Sequence, residues 1–567
     1  MADYDPSTGD RVFLLEQVLH ASAQWRALPP FADADAPLAA QVLEEAGKFV
    51  AEVIAPLNRV GDEVGARWHA GVVTMPPGFA DAYRQFWQGG WPALASDPAH
   101  GGQGLPAVLE AQLYEMLSGA NHGWTMAPGL LHGAYECLRH HGSEPLKAQY
   151  LEKIATGEWL ATMCLTEPQA GSDLGLVSTR ALPQADGSHL ISGSKIFISG
   201  GEHDLTDNIV HLVLAREPGA PAGPKGLSLF LVPKFYADGT RSAVSCEGIE
   251  EKMGLHGSPT CAMRLDAARG WIVGAPGRGL AAMFVMMNAA RLHVALQGLG
   301  LLDAAWQKAD AYARERRQMR APGASSTSLL IEHPAMRRIL DTQRAWIDAG
   351  RVLAYQTALE LDIARHHPDA ARRAQAERWC ALTTPVMKAA FTHQAFHGGS
   401  DCLQVFGGHG YVRESGIEQH VRDARVAMIY EGTNEIQAID LLARKVLADG
   451  GEGWCALLQS LAQPLGETAL AALARAHLQA LRALTLELAA ACRADAALPY
   501  EVADDYLRAA AVALLCWAGT RIEEAAGTSC DEPNRWQAPL QALQRWIAPE
   551  LPMRCAIIRN RLPATAP

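Results

Sequence analysis

The sequence predicts a multi-domain α+β protein in which a helical region, a mainly antiparallel β region and two further helical regions follow one another. Two observations support this fold class. The chain has 567 residues, more than one compact core holds, because single cores stop growing near ~250–300 residues. The spacing of apolar residues also changes along the chain, from a helical period to a period of two and back again.

The first helical region is predicted over residues 36–159, after an N-terminal extension of residues 1–35. The segment PLAAQVLEEAGKFVAEVIAPLNRV is amphipathic, and LLHGAYECLRHHG ends at a glycine, a common helix stop. Over residues 160–276 the segments HLISGSKIFISG, NIVHLVLARE and GLSLFLVPKF show a period of two between Gly, Pro or Asp residues. This pattern predicts a mainly antiparallel β domain.

The helical period returns over residues 277–448. The stretch LAAMFVMMNAARLHVALQGLGLLDAAWQKADAYARERRQ has the length and the apolar face that are typical of a bundle helix. The glycine-rich break DGGEG then precedes an appended helical domain, residues 454–567. One helical face of this domain is predicted to carry five leucines: Leu470, Leu473, Leu481, Leu484 and Leu488.

Charge and cysteine content restrict the partners and the compartment. The formal net charge of -12 disfavours the basic footprint that nucleic-acid binding needs. The 11 cysteines form no C-x-x-C pair and no zinc-site spacing, so we expect reduced thiols and no metal centre. The N-terminus lacks a signal-peptide pattern, and no later stretch gives ~18 uninterrupted apolar residues. We therefore expect a cytoplasmic protein without integral membrane association.

The segment MCLTEPQAGSDLG, residues 163–175, stands where helices give way to strands. Thr166, Ser172 and an exposed backbone at Ala170 and Gly171 would offer hydrogen-bonding groups to a flat ligand. An ordinary Pro/Gly turn closed by a Ser-x-Asp cap is the alternative interpretation. Between strand and helix the chain has no G-x-G-x-x-G, so a nucleotide cofactor would not be held in Rossmann fashion.

Two further segments have glycines beside side chains that suit a ligand. In KIFISGGEH, Phe197 and Ser199 share one face of a predicted strand, as they would in any half-buried strand. In QVFGGHGYV, residues 404–412, the paired glycines let backbone amides approach a pyrophosphate or a ring edge. A plain loop between helices is the alternative for the second segment.

The long bundle helix ends in ARERRQMR. Arg316 and Gln318 stand near its predicted C-terminus as candidate binding residues. Interaction with the helix dipole is the simpler explanation for Arg314, Arg317 and Arg320.

The fifth segment, IYEGTNEIQAIDLLARKV, combines a helix start with a candidate base. Thr433 or Asn434 is predicted to cap the helix, with Glu435 in its first turn. Glu431 precedes the cap and stands outside the helix. In a cavity lined by Tyr430 and glycine backbone, a carboxylate loses hydration and becomes a stronger proton acceptor.

In series, TEPQAGSD, KIFISGG, ERRQ, QVFGG and YEGTNEIQ resemble the acyl-CoA dehydrogenase family over about residues 36–447. The appended domain and the segment EEKMGLHGSPTCAMRLDAARGWIVG look most like the 3-methylmercaptopropionyl-CoA dehydrogenase group and its long-chain acyl-CoA relatives. The resemblance implies an N-terminal helical domain, a central β domain and a C-terminal four-helix bundle. It also implies FAD bound among these domains and across a subunit interface, and we expect a homodimer.

The resemblance implies a role for each matched residue. The residues implied to contact the flavin are Met163, Leu165, Thr166, Gly171, Ser172, Phe197 and Ser199. The residues implied at the pyrophosphate and adenosine end of FAD are Gln404, Val405, Phe406, Gly407 and Gly408. Arg316 and Gln318 are implied to contact the FAD of a neighbouring subunit, and Thr433 and Glu435 are implied to close the site. On the substrate side it implies Ser172, Asn288, Arg291 and Gly432. A buried arginine paired with a carboxylate is the equally weighted alternative for Arg291.

The implied reaction is α,β-dehydrogenation of a saturated acyl-CoA to trans-2-enoyl-CoA. Glu431 would remove the α-proton while the flavin N5 accepts the β-hydride, and an electron-transfer flavoprotein would take up the electrons. Some relatives carry the base one residue before the arginine that matches Arg291. That position is Ala290 here, so the resemblance implies Glu431. The acyl group stays open between 3-methylmercaptopropionyl, medium-chain and long-chain groups.

Two departures from the family pattern concern the adenosine side of the cofactor. His256 stands where many relatives carry arginine, and Pro334 where a flavin-contacting glutamine is common. Two alternative functions also stay open. One is a catalytically silent flavoprotein of the same fold that acts by binding a partner, and the other is an acyl-CoA oxidase that passes electrons to oxygen.

Overall fold

The computed structural model describes residues 4–529 and 533–562. The chain folds as two compact units. The first comprises residues 48–105 and 120–293, and the second comprises the described parts of 2–47, 106–119 and 294–567. Each unit is discontinuous along the chain, whereas the predicted domains are consecutive segments. The predicted domain boundaries therefore stay predictions.

The predicted N-terminal helical region is helical, with a short β-hairpin inside it. The α-helices before the main sheet are α1 (Thr8–Phe13), α2 (Ala21–Trp25), α3 (Ala36–Phe49), α4 (Asn58–Val64), α5 (Phe79–Gln88), α6 (Ala107–Thr125), α7 (Leu131–His141), α8 (Glu144–Leu146) and α9 (Glu152–Ala155). The hairpin strands are β1 (Arg67–His69) and β2 (Val72–Thr74). Helix α6 is kinked at Asn121, whose φ of -159° and ψ of 88° are not helical.

The other strands form one seven-stranded sheet. They are β3 (Leu160–Cys164), β4 (Arg180–Pro183), β5 (His189–Ser199), β6 (Ile209–Arg216), β7 (Leu227–Pro233), β8 (Val244–Ile249) and β9 (Thr260–Val273). Strand β3 pairs with β6 in parallel, and β4 meets β6 in parallel at a single residue pair. The other pairings are antiparallel, which confirms the mainly antiparallel β domain.

The pairings of this sheet close on themselves. The ring runs from β6 through β4, β5, β9 and β7 back to β6, so that five strands form a small barrel. Apolar side chains from these strands fill the interior, including Ile191, Val213, Phe230, Val232 and Leu265. The barrel is thus a packed core that supports the loops at its ends.

The rest of the described chain is helical, which confirms the α+β fold class. Its α-helices are α10 (Gly279–Glu315), α11 (Pro334–His366), α12 (Ala370–Val405), α13 (Ile417–Arg425), α14 (Asn434–Ile439), α15 (Glu452–Ala462), α16 (Ala469–Ala491), α17 (Leu498–Glu501), α18 (Ala503–Ser529), α19 (Pro533–Ala542) and α20 (Glu550–Arg559). Helix α10 is long and apolar enough to cross a membrane, but 65% of its most apolar window is buried within the protein.

The leucine face of the appended region is formed largely as predicted. Leu470, Leu481, Leu484 and Leu488 on α16 are buried, and α16 packs against α18. Leu473 is only half-buried, because the helical face that packs includes Ala474 and Leu478 instead.

The second unit contains a buried charge cluster that the sequence did not indicate. Its members are four arginines and four carboxylates: Arg11, Arg344, Arg351, Arg535, Asp10, Glu115, Asp303 and Asp348. They come from the N-terminal extension, from α6, α10 and α11, and from α19 of the appended region. The N-terminal extension is therefore part of the folded second unit.

Candidate active site

The segment of residues 163–175 begins at the end of β3 and forms a tight turn. The N–H of Glu167 donates to the carbonyl of Ala170 at 3.0 Å, and the N–H of Ala170 donates back at 2.9 Å. The prediction that Ala170 exposes its backbone is therefore wrong, because the turn itself satisfies both polar groups. Asp173 accepts from the N–H of Gly175 at 2.9 Å, so the alternative interpretation, a capped Pro/Gly turn, describes this segment.

The residues of this segment that were predicted to line the flavin lie partly open. Met163 is buried in β3, and Leu165 and Thr166 are half-buried. Gly171 and Ser172 are exposed. A Cβ atom built on Gly171 would meet no atom of the described residues within 4 Å, so a ligand has room to approach this backbone.

The carboxylate of Glu167 holds the segment together. It accepts six hydrogen bonds: from Gln169 Nε2, from the N–H and hydroxyl of Ser178, from the N–H and hydroxyl of Thr179, and from Lys195 Nζ at 2.8 Å. Burial by itself raises the pKa of this carboxyl group. The Lys195 ammonium and the hydrogen bonds outweigh burial and lower the pKa of Glu167 to about 2.

Lys195 connects two of the five predicted segments. Its ammonium also donates to the carbonyl of Leu165 at 3.0 Å, and the next residue, Ile196, donates its N–H to the carbonyl of Thr166 at 2.9 Å. The KIFISGG strand and the TEPQAGSD turn are thus one structural element. Sequence reasoning missed this pair, although a lysine within an apolar strand and a glutamate in a Pro/Gly turn were the available signals.

We expect Glu167→Gln to destabilise the first unit. The substitution leaves the Lys195 ammonium buried without its counter-charge and places amide hydrogens among donors, at a cost of about 3–5 kcal/mol. Urea unfolding followed by circular dichroism measures the loss. The control is Glu247→Gln, an exposed carboxylate on β8, with a change below about 0.5 kcal/mol. Equal stability of the two variants would contradict the role of Glu167.

Phe197 lies at a bulge in β5. The register between β5 and β9 shifts between Lys195 and Ile198, and Phe197 adopts a left-handed φ of 58°. Strict alternation would place Lys195, Phe197 and Ser199 on one face. The bulge instead buries Lys195 against Glu167 and leaves Phe197 59% exposed, where a flat ligand can reach it.

The candidate substrate residues of the first unit lie on α10. Arg291 is buried, as is Ala290 at the alternative base position. Asn288 belongs to the same helix, but its side chain lies outside the described part of the structure. His256, which departs from the family pattern, also belongs to the first unit. Its Nδ1 lies 2.9 Å from a carboxylate oxygen of Asp62, and its Nε2 lies 3.0 Å from the carbonyl of Lys252.

Residues 404–412 leave the end of α12. The side chains of Val405 and Phe406 are buried, and the Phe406 ring stacks on Tyr312 with the ring centroids 4.2 Å apart. These two residues therefore have only backbone atoms to offer a cofactor. Gly407, with a φ of 58°, and Gly408 are exposed. A Cβ on either glycine would meet no described atom within 4 Å.

The helix that was predicted to include Arg316 and Gln318 ends earlier. Helix α10 stops at Glu315, and the chain turns back so that the Gln318 N–H donates to the carbonyl of Ser328 at 3.0 Å. Arg316 and Gln318 are both exposed. The dipole interpretation thus applies only to Arg314, which is still helical.

The Glu431 segment combines two left-handed residues with a helix cap. Glu431 has a φ of 55° and Gly432 a φ of 84°. The Thr433 hydroxyl accepts from the N–H of Ile436 at 3.3 Å, which confirms Thr433 as the cap of α14, and Glu435 lies in the first turn. The open turn before the cap separates Glu431 from the helix.

Neighbouring side chains hold this turn. Gln437 Nε2 donates to the carbonyls of Glu431 and Gly432 at 3.2 and 3.3 Å. A Cβ on Gly432 would approach Gln437 Nε2 to 2.8 Å, so both space and φ require glycine there. The Tyr430 hydroxyl donates to Gln297 Oε1 at 2.7 Å, and burial, together with the Glu431 charge, raises the pKa of Tyr430.

Comparison with known proteins agrees with the order of these segments. Models of the acyl-CoA dehydrogenase N-terminal, middle and C-terminal domains match residues 38–158, 162–268 and 277–447. The chain is 44% identical to 3-methylmercaptopropionyl-CoA dehydrogenase of Ruegeria pomeroyi over 82% of this chain and 80% of that protein. The chain belongs to the acyl-CoA dehydrogenase family. This acyl-CoA dehydrogenase is accordingly a FAD-dependent oxidoreductase that acts on the CH–CH bond of acyl-CoA substrates.

Two more similarities cover much of the acyl-CoA dehydrogenase chain. It is 36% identical to a broad-specificity linear acyl-CoA dehydrogenase of Mycobacterium tuberculosis, over 80% of this chain and 76% of that protein. An acyl-CoA dehydrogenase of Bacillus anthracis, solved in complex with FAD, shares the fold with a TM-score of 0.77 and 20% identity. That likeness covers 94% of this chain and 90% of the other, so the shared fold extends beyond the three matched domains.

The residues present fit FAD. The open approach to Gly171, Gly407 and Gly408 suits the close contact of backbone with a ring edge and with phosphates. The exposed Phe197 ring suits a flat aromatic ligand. The exposed Ser172 hydroxyl supplies a polar contact of the kind that a ring nitrogen or oxygen needs.

Proposed function

We propose that this acyl-CoA dehydrogenase uses the Glu431 carboxylate as the base that removes the α-proton of the acyl group. The observation that supports this is the left-handed backbone of Glu431, with a φ of 55°. This conformation is costly for a residue with a side chain, and such strain concentrates at active sites. Gln437 holds the carbonyls of the strained turn, which keeps the carboxylate in one place.

Proton removal requires help at the thioester. The α-proton becomes acidic only when the thioester oxygen is stabilised as it gains negative charge, and we assign one donor to the backbone N–H of Glu431. Bound FAD would supply the acceptor for the β-hydride. Loss of the α-proton to Glu431 together with loss of that hydride would leave a trans-2-enoyl-CoA.

We assign the other predicted residues to binding. Cofactor contacts are assigned to Met163, Leu165, Thr166, Gly171, Ser172, Phe197, Ser199, Arg316, Gln318, Gln404, Gly407, Gly408, Thr433 and Glu435, and to the backbone of Val405 and Phe406. Ser172, Asn288, Arg291 and Gly432 are assigned to the substrate. The exposure of Arg316 and Gln318 supports a contact with the FAD of a second subunit.

Substrate, partners and location are proposed more finely from the relatives. We propose a short thioether-containing acyl-CoA, 3-methylmercaptopropionyl-CoA, because the 44% identical relative carries that name; medium-chain and long-chain acyl-CoAs are the alternatives. We also propose an electron-transfer flavoprotein as acceptor, a cytoplasmic location without integral membrane association, and a homodimer. Light scattering checks the last point, and a tetramer of the 60.9 kDa chain would contradict it.

The experiment that tests the proposed function follows flavin absorbance in the purified protein. We expect FAD to be present and its visible band to bleach when 3-methylmercaptopropionyl-CoA is added without oxygen. Butyryl-CoA and palmitoyl-CoA serve as comparison substrates. Steady turnover should need an electron-transfer flavoprotein. Peroxide release in air without that acceptor would indicate an oxidase, and bound FAD that no acyl-CoA reduces would contradict the proposal.

A further inference from the structure

A buried ammonium group lies against the backbone beside the proposed base. Lys388 is on α12, and its side chain is 0% exposed. Its Nζ donates to the carbonyl of Gly432 at 2.8 Å and to Asn434 Oδ1 at 3.0 Å. Burying an ammonium is expensive, and an uncharged side chain would fill the same space at lower cost. The position of the charge therefore calls for an explanation.

One turn of α12 forms hydrogen bonds with Asn434, the residue that follows the Thr433 cap. Asn434 Oδ1 also accepts from the Thr392 hydroxyl at 3.1 Å, and Asn434 Nδ2 donates to the carbonyl of Ala389 at 3.1 Å. With Lys388 on the Gly432 carbonyl, α12 thus holds the chain on both sides of Thr433. The left-handed pair at 431 and 432 persists because such contacts over-determine it.

The Lys388 ammonium also acts electrostatically on the carboxylates of this segment. The pKa of the Glu435 carboxyl is lowered by hydrogen bonds from its own backbone and from Thr433, and further by the positive charge of Lys388. Glu431 is next to the residue whose carbonyl Lys388 binds. A fixed positive charge there favours the ionised form of a carboxylate, which is the form a general base needs.

We propose that Lys388 is a positioning residue for proton abstraction, which holds the Gly432 carbonyl, and with it the left-handed Glu431, and favours the ionised state of the base. The inference rests on the proposed role of Glu431. Lys388 acts through the backbone and through its charge. Two separate effects follow from its loss, a slower reaction and a pH dependence that moves toward higher pH.

The test replaces Lys388 in the FAD-bound, full-length enzyme. We expect Lys388→Met to slow flavin reduction by the substrate about 10²-fold, a loss that misplacing a catalytic group by about 1 Å can cause, with FAD retained. We also expect the acidic limb of the pH–rate profile to move to higher pH. Lys388→Arg keeps the positive charge, so the acidic limb of its pH–rate profile should lie closer to that of the wild type. A normal rate and an unmoved profile in Lys388→Met would overturn the inference.

Lys445 provides a matched control. Its Nζ also donates to a backbone carbonyl of α12, that of Ala381, at 2.8 Å. Pro385 has no N–H to donate to the Ala381 carbonyl, which lies four residues earlier in α12. The Lys445 ammonium therefore supplies the hydrogen bond that the helix lacks at this carbonyl. Lys445→Met should leave the rate within about twofold and the pH profile unchanged. A shift as large as that of Lys388→Met would show a general effect of losing charge and overturn the inference.

A second variant tests the positioning role of Lys388 if Lys388→Met does not fold. Gln437→Leu removes the neutral donor to the carbonyls of Glu431 and Gly432 and keeps the Lys388 ammonium on the Gly432 carbonyl. We expect less than about a tenfold loss, with the pH profile in place. A loss near 10²-fold would assign the positioning role to Gln437 and overturn that of Lys388. By contrast, full flavin reduction in Glu431→Gln, or none in the wild type, would contradict the proposed function itself.

Discussion

Glu431→Gln is expected to slow flavin reduction by acyl-CoA about 10⁴-fold while FAD stays bound. The amide has nearly the same shape as the carboxylate but cannot accept the α-proton, and general bases contribute up to about 10⁴-fold. Ala290 stands at the alternative base position, so we do not expect rescue from that helix. Stopped-flow absorbance of the flavin band under anaerobic conditions measures the rate, and the absorbance before mixing gives the FAD content.

The control for this variant is Glu452→Gln, an exposed carboxylate at the start of α15. Its rate should equal that of the wild type within about twofold, because isolated surface charges contribute little. A Glu431→Gln protein that is reduced as fast as the Glu452→Gln protein would rule out Glu431 as the base. Loss of FAD from Glu431→Gln would instead indicate a role in cofactor binding.

Arg351→Met is expected to destabilise the second unit strongly. The Arg351 guanidinium donates to Glu115 at 2.7 Å and to Asp303 at 2.8 Å, and all three side chains are 0% exposed. Removing Arg351 leaves Glu115 with the guanidinium of Arg11 and Asp303 with that of Arg344 at 3.7 Å. Each buried carboxylate thus loses its shortest ion pair, at a cost of about 3–5 kcal/mol. The free energy of unfolding from urea titration measures this loss.

A surface pair gives the matched control. Arg559 donates to Glu487 at 2.8 Å, but these side chains are 45% and 39% exposed. Arg559→Gln should cost less than about 1 kcal/mol because solvent screens such a pair. If the two arginine variants lost similar stability, the buried charge cluster would not be a principal support of the second unit.

The same cluster predicts a pH dependence with a definite sign. Burial raises the pKa of Glu115, but the guanidinium groups of Arg11 and Arg351 and the hydrogen bonds from Arg11 and Tyr355 lower it from 4.5 to about 2. The stability that this carboxylate contributes is therefore present above pH 4.5 and is lost as the pH falls toward about 2. Arg351→Met removes one of the two charges, so its acid unfolding should begin at a higher pH. An unchanged acid midpoint would contradict this prediction.

The cluster also explains how the ends of the chain join the second unit. Arg535 on α19 donates to Asp10 at 2.7 Å and to Asp348 on α11 at 2.8 Å. The Phe13 and Trp536 rings stack beside them with the centroids 4.8 Å apart. The N-terminal extension and the appended region thus form ion pairs with each other and with the helical bundle, and the stability of each depends on the others.

The sequence by itself determined the fold class and the order of the five segments. Periodicity and turn residues act over a few neighbours, so the helical and β regions could be inferred correctly, and the cap of α14 could be narrowed to Thr433 or Asn434. The same local signals misplaced the end of α10, which stops at Glu315. They also predicted an exposed backbone at Ala170, because residue spacing does not show which backbone groups a turn satisfies internally.

Only the tertiary structure decided what holds the site residues in place. The Lys195 to Glu167 contact joins a strand and a turn, and the Lys388 to Gly432 contact joins a helix and the segment of the proposed base. Such pairs are distant along the chain, and their geometry depends on how the barrel closes and the helices pack. Residue order carries the chemistry of each group, whereas three-dimensional packing selects its partner and, through burial, the strength of their interaction.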